Sequence, residues 1–540
     1  MFDIIIKNGL VVDGAGGPWY KANIGVKDGK IAQMGKVNHE AKRILDVQGY
    51  IVAPGFIDVH SHSDETLLVN PRAESYVRQG ITTAVNGNCG GSPAPLVGLY
   101  KDEYIKRKKR ILEGIEISWS SFTEYFNTLE ENGVAINSLC LVGHGNLRVG
   151  VMGEEGYSKR KPTLDEIEEM KALLAKSLEE GAVGLSAGLV YPPGIYAETF
   201  ELVELCKVLP EFDAIFAIHI RGQGGQFLDA VREAINIAEE SGAPVQLSHH
   251  SPNPGMWGKT KISLKWVDEA RARGSDITID KHGYMYGSTG LNTVLPPWAH
   301  EGGITKLVDR LYDPETRERL KLDIAGGLEW PRVSPALHAR AADWDNITIT
   351  SSKNAEYTGQ TIKTIANTKG ENPFDTVFDL LIKSDGLVGV KYPAYSEEDL
   401  TRVFQHHTSM IATDGSATAP YGILSKEKPH PKSYGTFPMI FRKYVRDFGI
   451  LTLEEAVKKM TSQAAHRFSI WDRGLLLPGM FADVVVFDAQ RIADRATIDD
   501  PMQYPIGMKY VIVNGVIVLE DQVHTGKLPG KALRHKVPHS

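Results

Sequence analysis

The chain has 540 residues, of which 42% are hydrophobic and 24% are charged, and its formal net charge is −7. This length allows a large core and more than one domain, and the composition is that of an ordinary globular protein. The negative charge gives no basic footprint for nucleic acid, and no run of about 18 apolar residues predicts a membrane span.

The three cysteines of the chain are Cys89, Cys140 and Cys206. An odd and sparse set argues against a disulfide framework and predicts a reducing, cytoplasmic environment. The N-terminal segment alternates like a strand and lacks both a basic flank and a small-residue cleavage site. We therefore do not interpret it as a signal peptide.

Both ends of the chain predict short strands. In residues 1–53 the candidates are Asp3–Lys7, Leu10–Val12, Ala22–Lys27, Lys30–Met34 and Arg43–Asp46. Asp-Gly pairs at 13–14 and 28–29 are typical of hairpin turns. In residues 476–540 the candidates are Ala482–Asp488, Met508–Val513 and Val516–Leu519. We therefore expect the two ends to form one small β-sandwich together.

Residues 54–475 alternate apolar strands with helical stretches such as Thr163–Glu180, Gln226–Ser241 and Leu264–Arg273. This alternation is typical of parallel sheets crossed by helices. Eight strands are predicted, at Ile51–His62, Thr82–Cys89, Ser138–Asn146, Ala182–Leu189, Ile215–Ile220, Pro244–His250, Asp276–His282 and Ser409–Gly415. The predicted fold is α/β, a (β/α)8 TIM-like barrel.

The connection between the seventh and eighth predicted strands is too long for one crossover helix. Residues from about 290 to 350 are rich in tryptophan, proline and charge. We expect them to form an inserted subdomain that acts as a lid above the barrel mouth.

Six candidate metal ligands fall at the C-terminal ends of the predicted strands, where barrel active sites lie. They are His60, His62, Cys89, His219, His249 and Asp414. The first two are two residues apart, so a strand points both side chains to one side. Imidazole, thiolate and carboxylate groups together predict one or two zinc ions.

Each of these residues also has a plain structural interpretation. The two histidines of the HxH motif would be surface residues, Cys89 a small core residue, and Asp414 part of an Asp-Gly turn. If the metal site is real, Asp414 suits a general base that takes a proton from a water beside the metal.

The motifs PGFIDVHSHSD, NGNCG, LVGHGNLR, HIRGQG, PVQLSHH, ATDG and DRGLLLPGMFADVVVFD run along nearly the whole chain. In them the chain resembles the amidohydrolase superfamily, and within it the D-aminoacylase (N-acyl-D-amino-acid deacylase) group. The resemblance implies a tight zinc held by Cys89, His219 and His249. It implies a second, weaker metal position at His60, His62 and Asp414.

The resemblance also implies the reaction, which is hydrolysis of the linear amide of an N-acyl-D-amino acid or a related N-acyl amide. Zinc would polarise the carbonyl and activate a water, and Asp414 would carry the water's proton to the departing nitrogen. Many relatives outside this group bridge two metals with a carboxylated lysine on the fourth strand. Ala182–Leu189 contains no lysine, and a bridging Cys89 fits instead.

Three positions depart from the group's pattern. The group's SHHK reads SHHS, which places Ser251 where a lysine holds the substrate carboxylate, and its HPR reads HPK, which gives Lys432. A tyrosine of DxYPY is replaced by His282, which we expect to donate a hydrogen bond to the carbonyl oxygen. Lysine is a point charge without arginine's fork, so we expect weaker binding of a free carboxylate. We hypothesise a substrate outside the ordinary N-acyl-D-amino acids.

Further residues carry two interpretations each. Arg221 is either a replacement cation for the substrate carboxylate or a scaffold salt bridge. Tyr191 and Ser288 are either substrate contacts or structural residues. For His144 a pocket position and a loop-holding role are open, whereas His250 is expected to face away from the site and His430 to position a loop.

Two other functions compete with linear amide hydrolysis. A cyclic amide or imide hydrolase, similar to hydantoinases, would usually show the bridging lysine. A non-catalytic hydantoinase-like scaffold protein would lack several of the six ligands. The expected partner is a small-molecule amide, with no nucleic acid and no membrane, and the sequence leaves homo-oligomerisation open.

Overall fold

The computed structural model of the protein describes residues 1–37, 39–325 and 344–536. Its first seven strands are β1 (Phe2–Lys7), β2 (Leu10–Val11), β3 (Tyr20–Lys21), β4 (Asn23–Lys27), β5 (Lys30–Gly35), β6 (Ala41–Asp46) and β7 (Ile51–Pro54). Four of them form one sheet in the order β5-β4-β1-β6.

The next seven consecutive segments supply parallel strands of a barrel. They are β8 (Phe56–Asp58), β9 (Ile81–Asn86), β10 (Asn137–Cys140) with β11 (Val142–Gly143), β12 (Gly184–Gly188), β13 (Ile215–His219), β14 (Val245–Leu247) and β15 (Ile277–Lys281). Their neighbours pair in parallel in chain order. The strands are nearly all buried, as expected for a sheet covered by helices.

Nine α-helices connect these strands: α1 (Thr66–Val69), α2 (Glu74–Val77), α3 (Gly98–Lys108), α4 (Phe122–Asn132), α5 (His144–Met152), α6 (Leu164–Glu179), α7 (Thr199–Cys206), α8 (Phe227–Ser241) and α9 (Thr260–Ala272). Helix α6 begins at a capping box in which Thr163 and Glu166 satisfy each other's backbone N–H groups. The three predicted helices are present, with starts shifted by one to four residues.

Two predicted strands were too long. The candidate Ile51–His62 divides at Gly55 into β7, which belongs to a terminal sheet, and β8, which belongs to the barrel. A Cβ at Gly55 would collide with the Thr82 side chain, so the close crossing requires glycine. The candidate Ser138–Asn146 ends early because α5 begins at His144.

Between β15 and the last barrel strand lies an insertion. It contains β16 (Tyr286–Gly290), α10 (Gly303–Arg310), α11 (Pro314–Ala325), β17 (Thr348–Ser351), α12 (Ile362–Lys369), α13 (Pro373–Lys383) and β18 (Gly389–Pro393). The strands form an antiparallel sheet in the order β16-β18-β17. Apolar residues of these elements, such as Leu307, Phe378 and Leu381, form a separate core.

This insertion extends on both sides of the predicted limits of about 290 and 350. The physical reason is that α12, α13 and β18 bury their apolar faces in the same core as α10, so they belong to one packed unit. Residues 326–343 of the predicted insertion lie outside the described residues.

The barrel closes through α14 (Glu397–Gln405) and β19 (Ser409–Ile411), which pairs in parallel with β15. A parallel bridge between Ser61 and Gly415 joins β19 to the end of β8. Buried Asp58 strengthens this join, because its carboxylate accepts hydrogen bonds from the Thr413 backbone N–H at 2.9 Å and from the Thr413 hydroxyl. The predicted (β/α)8 barrel is therefore confirmed.

The chain then runs through α15 (Lys432–Met439), a π-helical segment (Ile440–Asp447), α16 (Leu453–Met460) and α17 (Ser462–Arg467). It ends in β20 (Val484–Phe487), β21 (Met508–Val513), β22 (Val516–Glu520) and β23 (Val523–His524). These strands join the N-terminal ones in a sheet of order β23-β22-β21-β20-β7-β2-β3. The prediction that both termini build one sandwich is confirmed.

Strand β20 shows how the sandwich is attached to the barrel. Val484 and Val486 point into the sandwich core, whereas Val485 and Phe487 alternate into the main core. Both faces of the strand are therefore buried.

None of the helices in the described ranges is both long and apolar enough to cross a membrane.

A buried ion pair between Arg473 and Asp483 ties the sandwich to the barrel. Asp483 also accepts hydrogen bonds from the Asn137 amide of β10 at 3.0 Å and from the Asn514 backbone N–H at 2.7 Å. We expect Asp483→Asn to lower the free energy of unfolding by about 3 kcal/mol, because it leaves the buried Arg473 guanidinium with only the half-exposed Asp472 carboxylate, 3.6 Å from its Nε. Urea unfolding followed by fluorescence measures this.

The matched control is Asp521→Asn, which removes the exposed pair with Lys509. Surface pairs contribute about 1 kcal/mol or less, so this variant should unfold close to the wild type. Equal stability of the two variants would contradict the assigned role of Asp483.

Candidate metal centre and substrate cavity

The six predicted ligands come together at the C-terminal ends of the barrel strands. Cys89 Sγ lies 3.4 Å from His60 Nε2, 3.7 Å from His219 Nδ1 and 3.9 Å from His249 Nε2. Asp414 Oδ1 lies 3.5 Å from His60 Nε2. The donor atoms of His60, Cys89, His249 and Asp414 all lie within 4.8 Å of one another.

His62 and His219 complete this group. His62 Nε2 lies 3.3 Å from Asp414 Oδ1, and His219 Nδ1 lies 2.9 Å from His249 Nε2. His62 is partly exposed to the cavity, whereas His60 is fully buried. Residues from five strand ends therefore point their donor atoms at one small volume.

Three of the ligands adopt left-handed backbone conformations. The φ angles are 54° at Cys89, 36° at His249 and 49° at Asp414. Such conformations are uncommon outside glycine and cost on the order of 1–3 kcal/mol each, so the surrounding structure must hold them in place. Their concentration at one cluster is typical of a functional site.

The ionisation of two members of the cluster, Cys89 and His249, favours metal-binding forms. Burial alone would raise the pKa of the Cys89 thiol, but the charge of His60 and hydrogen bonds from His219 and His249 lower it well below its usual range. Burial lowers the pKa of His249 to about 4, so its imidazole is neutral. A thiolate and a neutral imidazole are the forms that bind a metal.

This donor set fits zinc. One thiolate, four imidazoles and one carboxylate are all ligands that zinc accepts, and their number is enough for one or two ions. The alternative of a buried core cysteine does not explain why four charged or polar donors surround its sulfur.

Two residues that the sequence reasoning missed hold the histidines. Asp280 accepts a hydrogen bond from the His249 backbone N–H at 2.8 Å and lies 3.4 Å from His60 Nδ1, so the opposite Nε2 faces the cluster. The side-chain amide of Gln223 lies 3.3 Å from His249 Nδ1. Carboxylates and amides in this position orient metal-binding imidazoles. The sequence does indicate Asp280, because it stands near the end of an apolar strand, in the DKHGY motif.

A cavity of about 380 Å³ opens beside the cluster. Its lining combines candidate metal ligands with residues of the insertion and of α3. It includes His62, Asp64, Glu65, Cys89, Tyr104, Arg107, Lys108, Tyr191, His219, His249, Ser288, Tyr392, Asp414 and Lys432. Because β16 and β18 supply part of this wall, the insertion borders the site.

The predicted substrate residues fall into two sets. Tyr191, Ser288 and Lys432 line the cavity. Arg221 does not, because its guanidinium forms a bidentate pair with Glu233 and donates to the backbone carbonyl of Ala197. The expectation that Arg221 replaces the missing cation is therefore not supported, and its scaffold interpretation fits.

Ser251 also lies away from the cavity wall and is fully buried. Its hydroxyl has no hydrogen-bond partner among the described residues. The prediction that Ser251 contacts substrate is therefore not supported by its position. Lys432 does face the cavity, but its Nζ lies 2.7 Å from Asp414 Oδ2, which makes it a partner of that carboxylate.

His282 lies next to Asp414, does not line the cavity and is fully buried. Burial and the charges of Lys281 and Lys432 lower its pKa well below the usual range, so the ring is neutral. Its Nδ1 accepts the Tyr284 backbone N–H at 3.3 Å, which leaves the proton on Nε2, 4.0 Å from Asp414 Oδ2.

The three other histidines considered in the sequence analysis, His144, His250 and His430, have structural contacts. His144 Nε2 lies 2.8 Å from Glu201, which also pairs with Arg148, and it does not line the cavity. His250 Nε2 bonds the Ser263 hydroxyl at 2.8 Å on the far side of β14. His430 accepts the Lys432 backbone N–H at 3.1 Å, which positions the lysine.

Comparison with known proteins gives consistent matches over the whole length. The model described as amidohydrolase family matches residues 43–519. The chain is 35% identical to an N-acyl-D-glutamate deacylase of Alcaligenes xylosoxydans xylosoxydans, over 98% of this chain and 96% of the relative. It is 32% identical to a D-aminoacylase of the same organism, over 98% and 97%.

The structure is also similar to a solved one. The crystal structure of N-acyl-D-glutamate deacylase from Bordetella bronchiseptica, complexed with zinc and a phosphonate inhibitor, superposes with a TM-score of 0.81 at 33% identity. The match covers 99% of both chains, so the barrel, sandwich and insertion are all included.

We expect Cys89→Ser to lose most of its tightly held zinc, because a hydroxyl is a far weaker zinc ligand than a thiolate. Metal content after dialysis, measured by mass spectrometry, tests this. Cys206→Ser is the control, since Cys206 is a buried thiol on α7 outside the cluster. Equal zinc content in both variants would show that Cys89 is not a ligand.

We expect Asp280→Asn to weaken zinc binding by about 10- to 100-fold, because His60 and His249 lose the carboxylate that orients them. Competition with a chelator measures the affinity. Asp276→Asn is the control, since Asp276 lies at the opposite end of β15 and pairs with Arg271 and Arg467. An unchanged affinity in Asp280→Asn would contradict the orienting role.

Proposed function

The chain belongs to the amidohydrolase family, and we propose that it is a zinc-dependent hydrolase of a linear amide C–N bond, acting on an N-acyl-D-amino acid or a related N-acyl amide. The observation that carries this proposal is the convergence of the six candidate ligand residues, five of which line one cavity. The deacylases that match over the full length support the choice of a linear amide.

We assign the ligands as the resemblance implies. Cys89, His219 and His249 would hold the tight zinc, and His60, His62 and Asp414 a second position. The metal would supply Lewis acidity toward the amide carbonyl and toward a water. The short distances from Cys89 to both sets of imidazoles support Cys89 as a bridge between the two positions.

Asp414 is the proposed proton carrier. Burial would raise its pKa, but the Lys432 ammonium and a hydrogen bond from His62 lower it well below the usual range, so the group is a carboxylate at neutral pH. It can accept the proton of the attacking water and deliver it to the amide nitrogen, which must be protonated before it leaves. Lys432 would hold the carboxylate in position during both transfers.

His282 stays a proposed contributor. Its neutral ring presents Nε2–H beside Asp414 Oδ2. This His282 Nε2 has no hydrogen-bond partner among the residues that the structure describes. We propose that it donates a hydrogen bond to oxygen in the site, either the carboxylate or the substrate carbonyl next to it.

Tyr191 and Ser288 are proposed substrate contacts because both line the cavity. The Tyr191 hydroxyl accepts a hydrogen bond from Thr289 at 3.2 Å, so the insertion and the barrel meet at this point. A substrate held between them would be covered by β16, which fits the lid role expected of the insertion.

The competing functions are less well supported. The fourth barrel strand, Gly184–Gly188, reads GLSAG and offers no lysine to bridge two metals, which disfavours a hydantoinase-like site. A scaffold protein would not need six candidate ligands at one cluster, three of them with strained backbones. The cytoplasmic location stays a proposal, supported by three free cysteines.

The experiment measures amine release by the zinc-loaded protein from N-acetyl-D- and N-acetyl-L-amino acids. Ring opening of dihydrouracil is followed separately by chromatography, because it gives a ureido acid and no free amine. Cleavage of the D-acyl compounds with loss of activity on chelation supports the proposal. Cleavage of only the cyclic amide would replace it with the hydantoinase-like function.

Asp414→Asn tests the assigned base. We expect its kcat to fall by about 10²- to 10⁴-fold, because the amide cannot accept the water's proton. The control is Asp399→Asn, a buried carboxylate on α14 that bonds Thr260 away from the cavity. A kcat of Asp414→Asn within a fewfold of the control would exclude Asp414 as proton carrier.

A further inference from the structure

Three cationic side chains line the cavity: Arg107, Lys108 and Lys432. Lys432 is paired with Asp414 at 2.7 Å, and Lys108 with Glu65 at 2.7 Å. Within the described part of the chain, Arg107 forms no ion pair with a carboxylate. Glu103, one turn earlier on α3, is close enough to interact electrostatically with Arg107, but the two form no ion pair and Glu103 does not line the cavity. Among the cations of this wall, Arg107 is therefore the one without an ion pair to a carboxylate of the described residues.

The carboxyl groups of the same wall are engaged elsewhere. Asp414 contacts Lys432 and His62, and Glu65 accepts the Tyr104 hydroxyl at 2.9 Å in addition to Lys108. Asp64 accepts the Gly87 backbone N–H at 2.7 Å. No side chain of the described lining is thus placed to take up the charge of Arg107.

Arg107 is held in a shielded position on the last turn of α3. Its guanidinium carbon lies 5.2 Å from the centre of the Tyr100 ring, and its Nε is buried without a hydrogen-bond partner among the described residues. A buried donor of a charged group is costly to leave unpaired. A planar guanidinium presents paired N–H groups that match a carboxylate.

A small substrate is long enough to extend from the metal centre to Arg107 at the end of α3. Glu65 is three residues after His62, so their Cα atoms lie at most about 11 Å apart. Lys108, the neighbour of Arg107, contacts Glu65 directly. An amide placed at the ligands can therefore carry a second group to the end of α3.

We propose that Arg107 is the carboxylate-binding residue of the substrate cavity and that the substrate is an N-acyl amide bearing a free carboxylate. This rests on the proposed function. It also explains how a substrate carboxylate is bound although position 251 lacks the group's lysine and position 432 carries a lysine, paired with Asp414, in place of the group's arginine. The anion is received by a helix outside the barrel strands. Arg107 thus selects the substrate, whereas the metal ligands and Asp414 perform the hydrolysis.

A carboxylate can come from three parts of such a substrate, and matched pairs separate them. N-acetyl-D-leucine against its carboxamide tests the α-carboxylate. N-acetyl-D-glutamate against N-acetyl-D-glutamine tests the side chain, and N-succinyl- against N-butyryl-D-leucinamide tests the acyl chain. For each pair the ratio of kcat/KM, acid to neutral compound, is measured in the zinc-loaded enzyme.

We expect the wild type to prefer the acid in at least one pair, and Arg107→Gln to lower that ratio by about 10- to 100-fold. Arg107→Lys should fall between them, because it keeps the charge but loses the fork. Lys109→Gln is the control, since it removes one exposed positive charge from the same helix end and should leave the ratio at the wild-type value.

Binding gives a second measurement that does not depend on turnover. Glutarate and pentanoate share one carboxylate and differ in the second, and calorimetry with the zinc-loaded protein gives both affinities. Arg107→Gln should remove the advantage of glutarate, whereas Lys109→Gln should retain it.

Two results would overturn the inference: no preference for a carboxylate in any pair or in the glutarate comparison, or a preference that survives in Arg107→Gln. The failure of the proposed function looks different. In that case none of the amides is cleaved, while the dependence of glutarate binding on Arg107 still decides the role of the arginine.

Discussion

The closure of the barrel between its first and last strands is the constraint on which the site depends. Asp58 accepts two hydrogen bonds from Thr413, Asp414 donates its N–H to the His60 carbonyl at 2.8 Å, and His62 donates to Gly415 at 2.7 Å. These bonds join segments that are about 350 positions apart in the chain. Asp414 and the imidazoles of His60 and His62 meet only because the sheet closes there.

The same closure places several charges in one small and largely buried volume. In such surroundings each group strongly affects its neighbours, so Cys89 and Asp414 are anionic although burial alone disfavours their charged forms. The left-handed backbones of Cys89 and Asp414 add strain to this arrangement. A bound cation would offset both costs, which is why the donor set and the strain occur together.

The sequence was sufficient to predict the barrel strands, and it placed the six candidate ligands at their ends, because apolar runs and metal-ligand residue types are local signals. Partners in space were less accessible. Nothing near Arg221 in the chain shows that Glu233 and a carbonyl will occupy it, and the alignment of Ser251 with a lysine does not tell where its hydroxyl points. The split of the first strand at Gly55 likewise depends on a distant partner, β20.

Arg107 shows the same limit from the other side. In the sequence it lies in the basic run KRKKR, which is typical of a solvated helix end. Only the neighbouring pairs change this interpretation. Lys108 forms an ion pair with Glu65 and Lys432 with Asp414, whereas Arg107 lines the cavity without an ion pair in the part of the chain that the structure describes. Charge balance around a closed cavity is a property of the whole wall. A departure on one barrel strand can therefore be compensated from a helix that shares no motif with it.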